Sequence, residues 1–138
     1  MKPIKLEFLD HVGICVKDIE VSANWYQSVL GLKRFTFDKW GPFPIFMLSG
    51  KSGIAIFPAN GDVEQNSSSP PISIDHFAFN VNKENFDLAR QNLTKLNIEF
   101  EYKNHHYFES IYFKDPDDHI VELTTILVDE EAFYNKEC

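Results

Sequence analysis

The chain has 138 residues, 43% hydrophobic and 25% charged, with a formal net charge of −8. That length suits one domain with a sizeable core, and the acidic balance argues against nucleic acid or an anionic membrane surface as a main partner. No stretch approaches the roughly 20 apolar residues of a membrane span, MKPIKLEFLDH has no hydrophobic signal core, and Cys15 and Cys138 alone make no disulfide framework.

These bounds lead us to expect a cytoplasmic protein. Leu6 to Val16 reads as a strand, with Leu6, Phe8, Val12, Ile14 and Val16 at alternate positions. Asp18 caps a helix over Ile19 to Leu30, whose apolar stripe is Ile19, Trp25, Tyr26, Val29 and Leu30, and Gly31 stops it. Three strands are expected near 33–38, 43–48 and 53–57, punctuated by Gly41-Pro42 and Ser49-Gly50-Lys51. Ala59 to Pro71, ANGDVEQNSSSPP, is polar and aperiodic and reads as a linker.

The same order then begins again. Ile74 to Val81 reads as a strand, Glu84 to Leu96 as a helix, and strands follow near 98–103, 109–114 and 119–125. Leu9-Asp10-His11-Val12-Gly13-Ile14 matches Ile74-Asp75-His76-Phe77-Ala78-Phe79, and Leu30-Gly31-Leu32 matches Leu96-Asn97-Ile98. Carried on from Leu30 and Leu96, a constant offset of 66 (96 − 30) sets Ile45-Phe46-Met47 against Ile111-Tyr112-Phe113. The fold class is therefore α+β: tandem βαβββ modules forming a curved mixed-sheet cup with helices on its outer face. Module one spans 5–58, the linker 59–71, module two 72–127 and a tail 128–138, all within one domain. A short helix over 129–136, capped by Asp129, is expected in the tail.

Strand alternation assigns the faces. His11, Gly13 and Cys15 fall on the cup side of the first strand, His76, Ala78 and Asn80 on that of the fifth, and Ile120, Glu122 and Thr124 on that of the last. Pro44, Phe46, Leu48, Ile54 and Ile56 are assigned to the cup in module one. A five-residue loop Asp115–His119 pairs Tyr112 with Glu122 and turns Tyr112 to the cup; a four-residue loop would turn it away. A lone strand histidine is more often a satisfied core residue than a ligand, and Lys103 or Lys114 would also answer a buried Glu122. Recurrence shifts that balance: both histidines follow an Asp at equivalent repeat positions. His11, His76 and Glu122 make a 2-His-1-carboxylate set suited to iron(II) or another divalent metal with open coordination positions. Glu122 minus 66 is position 56, an Ile, so the repeat supplies no fourth ligand there.

LDHVGICVKDIEVSANWYQSVLGLKRF, IDHFAFNV and SIYFKDPDDHIVELTT together resemble the vicinal oxygen chelate family of glyoxalases, extradiol dioxygenases, fosfomycin-resistance thiol transferases and bleomycin-binding proteins. The resemblance runs from residue 6 to about 127. It implies paired βαβββ modules, often built across a homodimer, with a small-molecule substrate bound at a metal held by His11, His76 and Glu122. Iron(II) or manganese(II) is the favoured ion, with zinc(II) or nickel(II) as alternatives. Glyoxalase I enzymes use a fourth ligand at the position matched to Ile56, which speaks against that activity. Fosfomycin-resistance enzymes use three ligands and share the SIYF-x-DPD segment, but surround the phosphonate with cations and hydroxyls. At the assigned cup positions only Lys114 is cationic, and Gly13 stands where some of them carry Thr.

The leading expectation is an extradiol-dioxygenase-like enzyme, favoured by the apolar cup positions of module one. The alternatives are a metal-dependent thiol transferase or lyase and a metal-free binder of an aromatic compound. Tyr112, ten residues before Glu122, is the candidate for bonding a substrate oxygen or anion. His105 and His106 are the acid–base candidates, against the plainer reading of Asn104-His105-His106-Tyr107 as an exposed polar loop.

Overall fold

Local signals fix both long helices. The Asp18 carboxylate accepts from the backbone N–H groups of Glu20 and Val21 at 3.0 and 3.1 Å, opening α1 (Ile19–Leu30). Gly31 closes it in left-handed geometry (φ 68°), returning its N–H to Gln27 O. Asn82 caps α2 (Lys83–Lys95) by accepting from Asn85 N at 2.8 Å. Beyond it Asn97, the repeat's counterpart of Gly31, is also left-handed at φ 57°.

The computed structural model describes residues 1–3, 7–59 and 74–134, and the chain divides into two compact units, Met1–Ser67 and Ser68–Cys138. The first holds a four-stranded mixed sheet of β1 (His11–Val16), β2 (Lys33–Phe35), β3 (Ile45–Ser49) and β4 (Ser52–Pro58), ordered β1-β4-β3-β2. Only β1 and β4 run parallel. The second unit repeats the plan with β5 (Phe77–Asn80), β6 (Phe100–Asn104), β7 (Phe108–Lys114) and β8 (Ile120–Ile126), ordered β5-β8-β7-β6, with β5 and β8 parallel. With α3 (Glu130–Tyr134), the described residues form two open sheets and three α-helices, the α+β class expected from the duplicated order. All but the first residue of the expected linker lies outside the described residues.

In each unit the helix covers one sheet face and leaves the other to polar or aromatic side chains. Ala23 and Tyr26 of α1 are buried with Ile14, Val16, Ile45, Met47, Ile54 and Ile56. Fully burying side chains of this size contributes about 1.5–3 kcal/mol each, so this face dominates stability. Arg34, opposite Met47, reaches from the same face to Glu20 of α1 at 2.6 and 2.7 Å. In the second unit Phe86 and Leu93 of α2 are buried, as are Ile111, Phe113, Val121 and Leu123 of the sheet. Glu109 joins them, bridged to Lys83 at the start of α2 and accepting from Tyr102 Oη at 2.7 Å.

Several element ends differ from expectation, and the ladders explain them. β1 starts at His11 because its neighbour β4 starts at Ser52; Ser52 Oγ donates to Leu9 O and Gly53 N to Asp10 O, and there the pairing stops. Phe8, expected in the core, is 54% exposed, and Leu6 lies outside the described residues. β5 likewise starts at Phe77, opposite Val121, leaving Ile74 exposed. β2 stops at Phe35 and a single 3-10 turn follows at Asp38–Trp40. In α1 the fully buried positions are Ser22, Ala23 and Tyr26, with the rest of the expected stripe half-buried. Small side chains let the helix backbone approach the sheet closely. α3 begins one residue after Asp129, whose carboxylate accepts from Ala132 N at 2.9 Å; residues 135–138 lie outside the described set.

The two β-hairpins differ by one residue, with a larger consequence. Lys114 pairs with Ile120 and Tyr112 with Glu122, so the loop Asp115–His119 has the five residues that turn Tyr112 to the Glu122 face. Asp115 is buried and its Oδ1 accepts from Asp117 N and His119 N at 2.8 and 2.9 Å, while Asp118 takes a left-handed φ of 67°. In the first unit Leu48 pairs with Gly53 and Phe46 with Ala55, which leaves four residues between. The repeat offset of 66 (112 − 46) therefore becomes 67 (122 − 55) beyond the turn. Ile54 and Ile56 do not face the cup side. They lie opposite Met47 and Ile45 on the α1 face, and Gly53, Ala55 and Phe57 take the open face. A one-residue slip inverts a strand's faces. The counterpart of Glu122 is Ala55, still no ligand.

Candidate metal centre

Glu122, in the middle of β8, is 5% exposed, and with Glu109 and Asp115 is one of three buried carboxylates among the described residues of the second unit. An unpartnered charge there would be costly, and each of its oxygens has a partner. Oε2 accepts from Ser110 Oγ at 2.7 Å, and Oε1 lies 3.0 Å from His76 Nε2. Ser110 sits two residues before Tyr112 on the same strand face, a parity visible in the sequence but not used there.

His76 stands just before β5, at the position where the chain enters its pairing with β8. Its Nδ1 lies 2.7 Å from Asp75 Oδ2. A carboxylate only accepts, so a hydrogen on Nδ1 donates to Asp75, and one on Nε2 donates to Glu122 unless a cation lies between that nitrogen and the carboxylate. In the first unit His11 opens β1 in the same way, its Nδ1 2.7 Å from Asp10 Oδ2.

The donor chemistry fits a divalent ion. His76 Nε2 and Glu122 Oε1 meet at 3.0 Å, an ion-pair distance that sets one imidazole nitrogen and one carboxylate oxygen, both donors suited to a divalent ion, side by side on one face. Both donors are held from behind, Nδ1 by Asp75 and Oε2 by Ser110. Among the described residues no three His, Cys, Asp or Glu side chains gather closely enough to hold an ion by themselves. The second unit brings together two of the three expected ligands, and His11 belongs to the first.

Tyr112 lies opposite Glu122 in the ladder, with its ring 5.8 Å from that of His76. Burial, and then the negative charge of Glu122, hold its phenol above the ordinary tyrosine range. Its Oη is 2.9 Å from His105 Nε2. His105 is fixed by its own N–H to Phe108 O at 2.8 Å and packs its ring against Phe108. The two acid–base candidates thus separate: His105 joins Tyr112, whereas His106 is exposed, in left-handed geometry (φ 69°), with its N–H on Asn104 Oδ1.

Lys114 is not the sole cation on this face. Lys103 pairs with Ser110, and its ammonium sits 5.3 Å from the Tyr112 ring centroid. Its place was hidden because the phase of β6 depends on its pairing with β7. A cavity of about 550 Å³ lies beside these groups, its lining including Glu101, Tyr112, Lys114 and Ile120.

The open face of the first unit is chemically different. The His11 ring packs against Phe46 at 5.1 Å, Phe46 against Trp40 at 5.1 Å, and Trp40 against Phe37 at 4.6 Å. Phe37 and Trp40 are 48% and 44% exposed. The turn at 38–40 that carries Trp40 had no clear sequence signal.

Paired βαβββ units, each opening on an Asp–His step, define the architecture of the vicinal-oxygen-chelate class. The chain belongs to the Glyoxalase/Bleomycin resistance protein/Dioxygenase superfamily, whose family profile matches residues 8–123. Over 143 aligned residues it is 29% identical to the metallothiol transferase FosB of Lysinibacillus sphaericus (strain C3-41), covering 96% of this chain and 92% of that protein. Over 120 residues it is 28% identical to the glutathione transferase FosA of Serratia marcescens, covering 86% and 80%. Its fold matches the crystal structure of a glyoxalase/dioxygenase from Nostoc punctiforme with a TM-score of 0.75, at 20% identity over 93% of this chain and 97% of that one. Among the described residues no helix is long and apolar enough to cross a membrane.

Proposed function

We propose that this protein is a divalent-metal-dependent enzyme that joins a thiol to a small electrophile carrying an oxyanion, with His11, His76 and Glu122 as metal ligands. The observation that carries this reading is the setting of Glu122. Hydroxyls of Ser110 and Tyr112 and ammonium groups of Lys103 and Lys114 share its sheet face, with the Glu101 carboxylate 4.0 Å from Lys103 Nζ. The two hydroxyls and two ammonium groups are the donors that an oxyanion would use. The likeness to two thiol transferases across most of the chain supports the same direction.

A bound ion would supply Lewis acidity toward the substrate oxygens. In the reaction the thiol S–H bond and a carbon–oxygen bond break, a carbon–sulfur bond forms, and the proton ends on the released oxygen. Tyr112 and His105 are placed to handle that proton, with Oη and Nε2 2.9 Å apart. Lys103 and Lys114 would balance the oxyanion's charge.

A second reading, an extradiol-type dioxygenase acting on an aromatic vicinal diol, is favoured by the ring series Phe46, Trp40 and Phe37 beside His11. Both readings predict a metalloprotein, and one set of measurements separates them. Protein prepared without chelator is analysed for metal, then assayed for thiol consumption on a panel of anionic epoxides and for dioxygen uptake on a panel of catechols. Metal-dependent thiol consumption supports the transferase. Oxygen uptake with an iron-loaded sample supports the dioxygenase and overturns the transferase. Protein that neither carries nor takes up a metal ion rejects both.

A further inference from the structure

We propose that Asp10 and Asp75 are paired positioning residues of the metal centre, each fixing the ring nitrogen and rotation with which its neighbouring histidine meets the ion. The proposal rests on the reading of His11 and His76 as ligands. Asp10 Oδ2 lies 2.7 Å from His11 Nδ1, and Asp75 Oδ2 lies 2.7 Å from His76 Nδ1.

Two features separate this contact from an incidental surface pair. The first is recurrence: the same two residue types meet through the same atoms at the same distance in both units, at the same point just before or at the start of a strand. The second is divergence around it. The ring beside His11 belongs to Phe46 and the ring beside His76 to Tyr112, so the surroundings have changed while the Asp–His contact has not. The Asp10 and Asp75 side chains are 69% and 87% exposed, and exposed pairs contribute little to stability, so a change in metal affinity on their removal would not be an effect on the fold.

The chemistry gives the contact a use. Imidazole offers either nitrogen to a metal, and its ring turns freely about two side-chain bonds. When an ion is bound, a carboxylate accepting from Nδ1–H leaves the Nε2 lone pair for the ion and holds the ring in one rotamer. In the second unit the ring in contact with Asp75 through Nδ1 presents Nε2 to Glu122, 3.0 Å from Oε1.

The test needs no substrate. Metal-free protein is titrated with Mn²⁺ or Zn²⁺ alone against a chromophoric chelator, comparing wild type with Asp10→Asn, Asp10→Ala, Asp75→Asn, Asp75→Ala, the double alanine variant and His76→Ala. Each alanine change is expected to weaken binding about 10-fold and the pair about 100-fold, the range typical of outer-sphere partners of metal ligands. Asn keeps an acceptor for the Nδ1 hydrogen and loses only charge, so it should fall between Ala and wild type. Unchanged thermal midpoints without metal show that the variants are folded. If wild type binds and His76→Ala does not, yet the Asp variants bind as tightly as wild type, the positioning role is overturned and the ligand reading stands. If His76→Ala binds like wild type, or wild type binds nothing, the ligand reading itself fails and the proposal with it.

Discussion

The two units share strand order, helix placement and the Asp–His step, yet their open faces have taken different chemistries. In the second, β7 and β8 present Ser110, Tyr112 and Glu122, with Lys103 and His105 alongside. In the first, the places equivalent to Tyr112 and Glu122 hold Phe46 and Ala55, and Trp40 and Phe37 extend an aromatic row from His11. A duplicated scaffold has thus kept the Asp–His step while separating a polar, ionisable surface from an aromatic one. The helix ties differ in the same sense: Glu20–Arg34 in the first unit is solvent-facing, Lys83–Glu109 in the second ends on a buried carboxylate.

The largest test of this contrast removes the carboxylate that the first unit lacks. Glu122→Ala should lower metal affinity by more than about 100-fold, beyond the usual effect of an outer-sphere change, as measured by chelator competition. Next, Tyr112→Phe gives the second unit the residue of the first. Turnover on whichever substrate the panels identify should fall about 100-fold with metal content unchanged, the loss typical of a missing proton-transfer group. If turnover persists, Tyr112 is only part of the wall. Ile56→Ala probes the corrected face assignment. As a fully buried side chain under α1 it should cost about 2–4 kcal/mol in denaturant unfolding, with metal affinity unaffected.

Two smaller effects distinguish the helix ties. Burial opposes ionisation of Glu109, but Lys83 and the Tyr102 hydroxyl outweigh it and leave the carboxyl below its ordinary value. A depressed carboxyl stabilises the fold at pH values above the unfolded pKa of about 4.3, and that contribution is lost as pH falls through the folded value. Glu109→Gln should therefore be less stable than wild type at pH 7, with the difference closing on acidification below about pH 4, as followed by thermal unfolding across pH. Arg34→Gln breaks the exposed tie of the first unit and should change stability by no more than about 0.5 kcal/mol.

What the sequence disclosed follows from how local each signal was. α1 was legible to the residue because Asp18 and Gly31 act within one turn of its ends. The turn at Asp115–Asp118 was legible because Asp-Pro-Asp-Asp sets its own geometry through Asp115, whereas its length, five residues and not four, came only from the pairing of β7 with β8. The start of β1 was not, since it depends on where β4, some 40 residues on, stops offering partners. The faces of β4 and the position of Lys103 failed for a related reason: alternation gives a strand's period, and its phase comes from a pairing that the strand's own residues do not encode. Glu122, His76 and His105 were singled out from their types and spacing. Their mutual geometry, and the part played by Ser110, needed the register of three strands.

The five-residue turn before β8 makes insertion and deletion the sharpest evolutionary lever in this fold. Point substitutions around Glu122 adjust one group at a time. Losing a single residue between positions 115 and 119 would instead match the four-residue turn of the other hairpin and reverse β8 as a block, sending Glu122 beneath α2 and bringing Val121 and Leu123 to the open face. A gap of one residue at this turn in a relative would then mark a descendant that keeps the fold and has exchanged its chemistry.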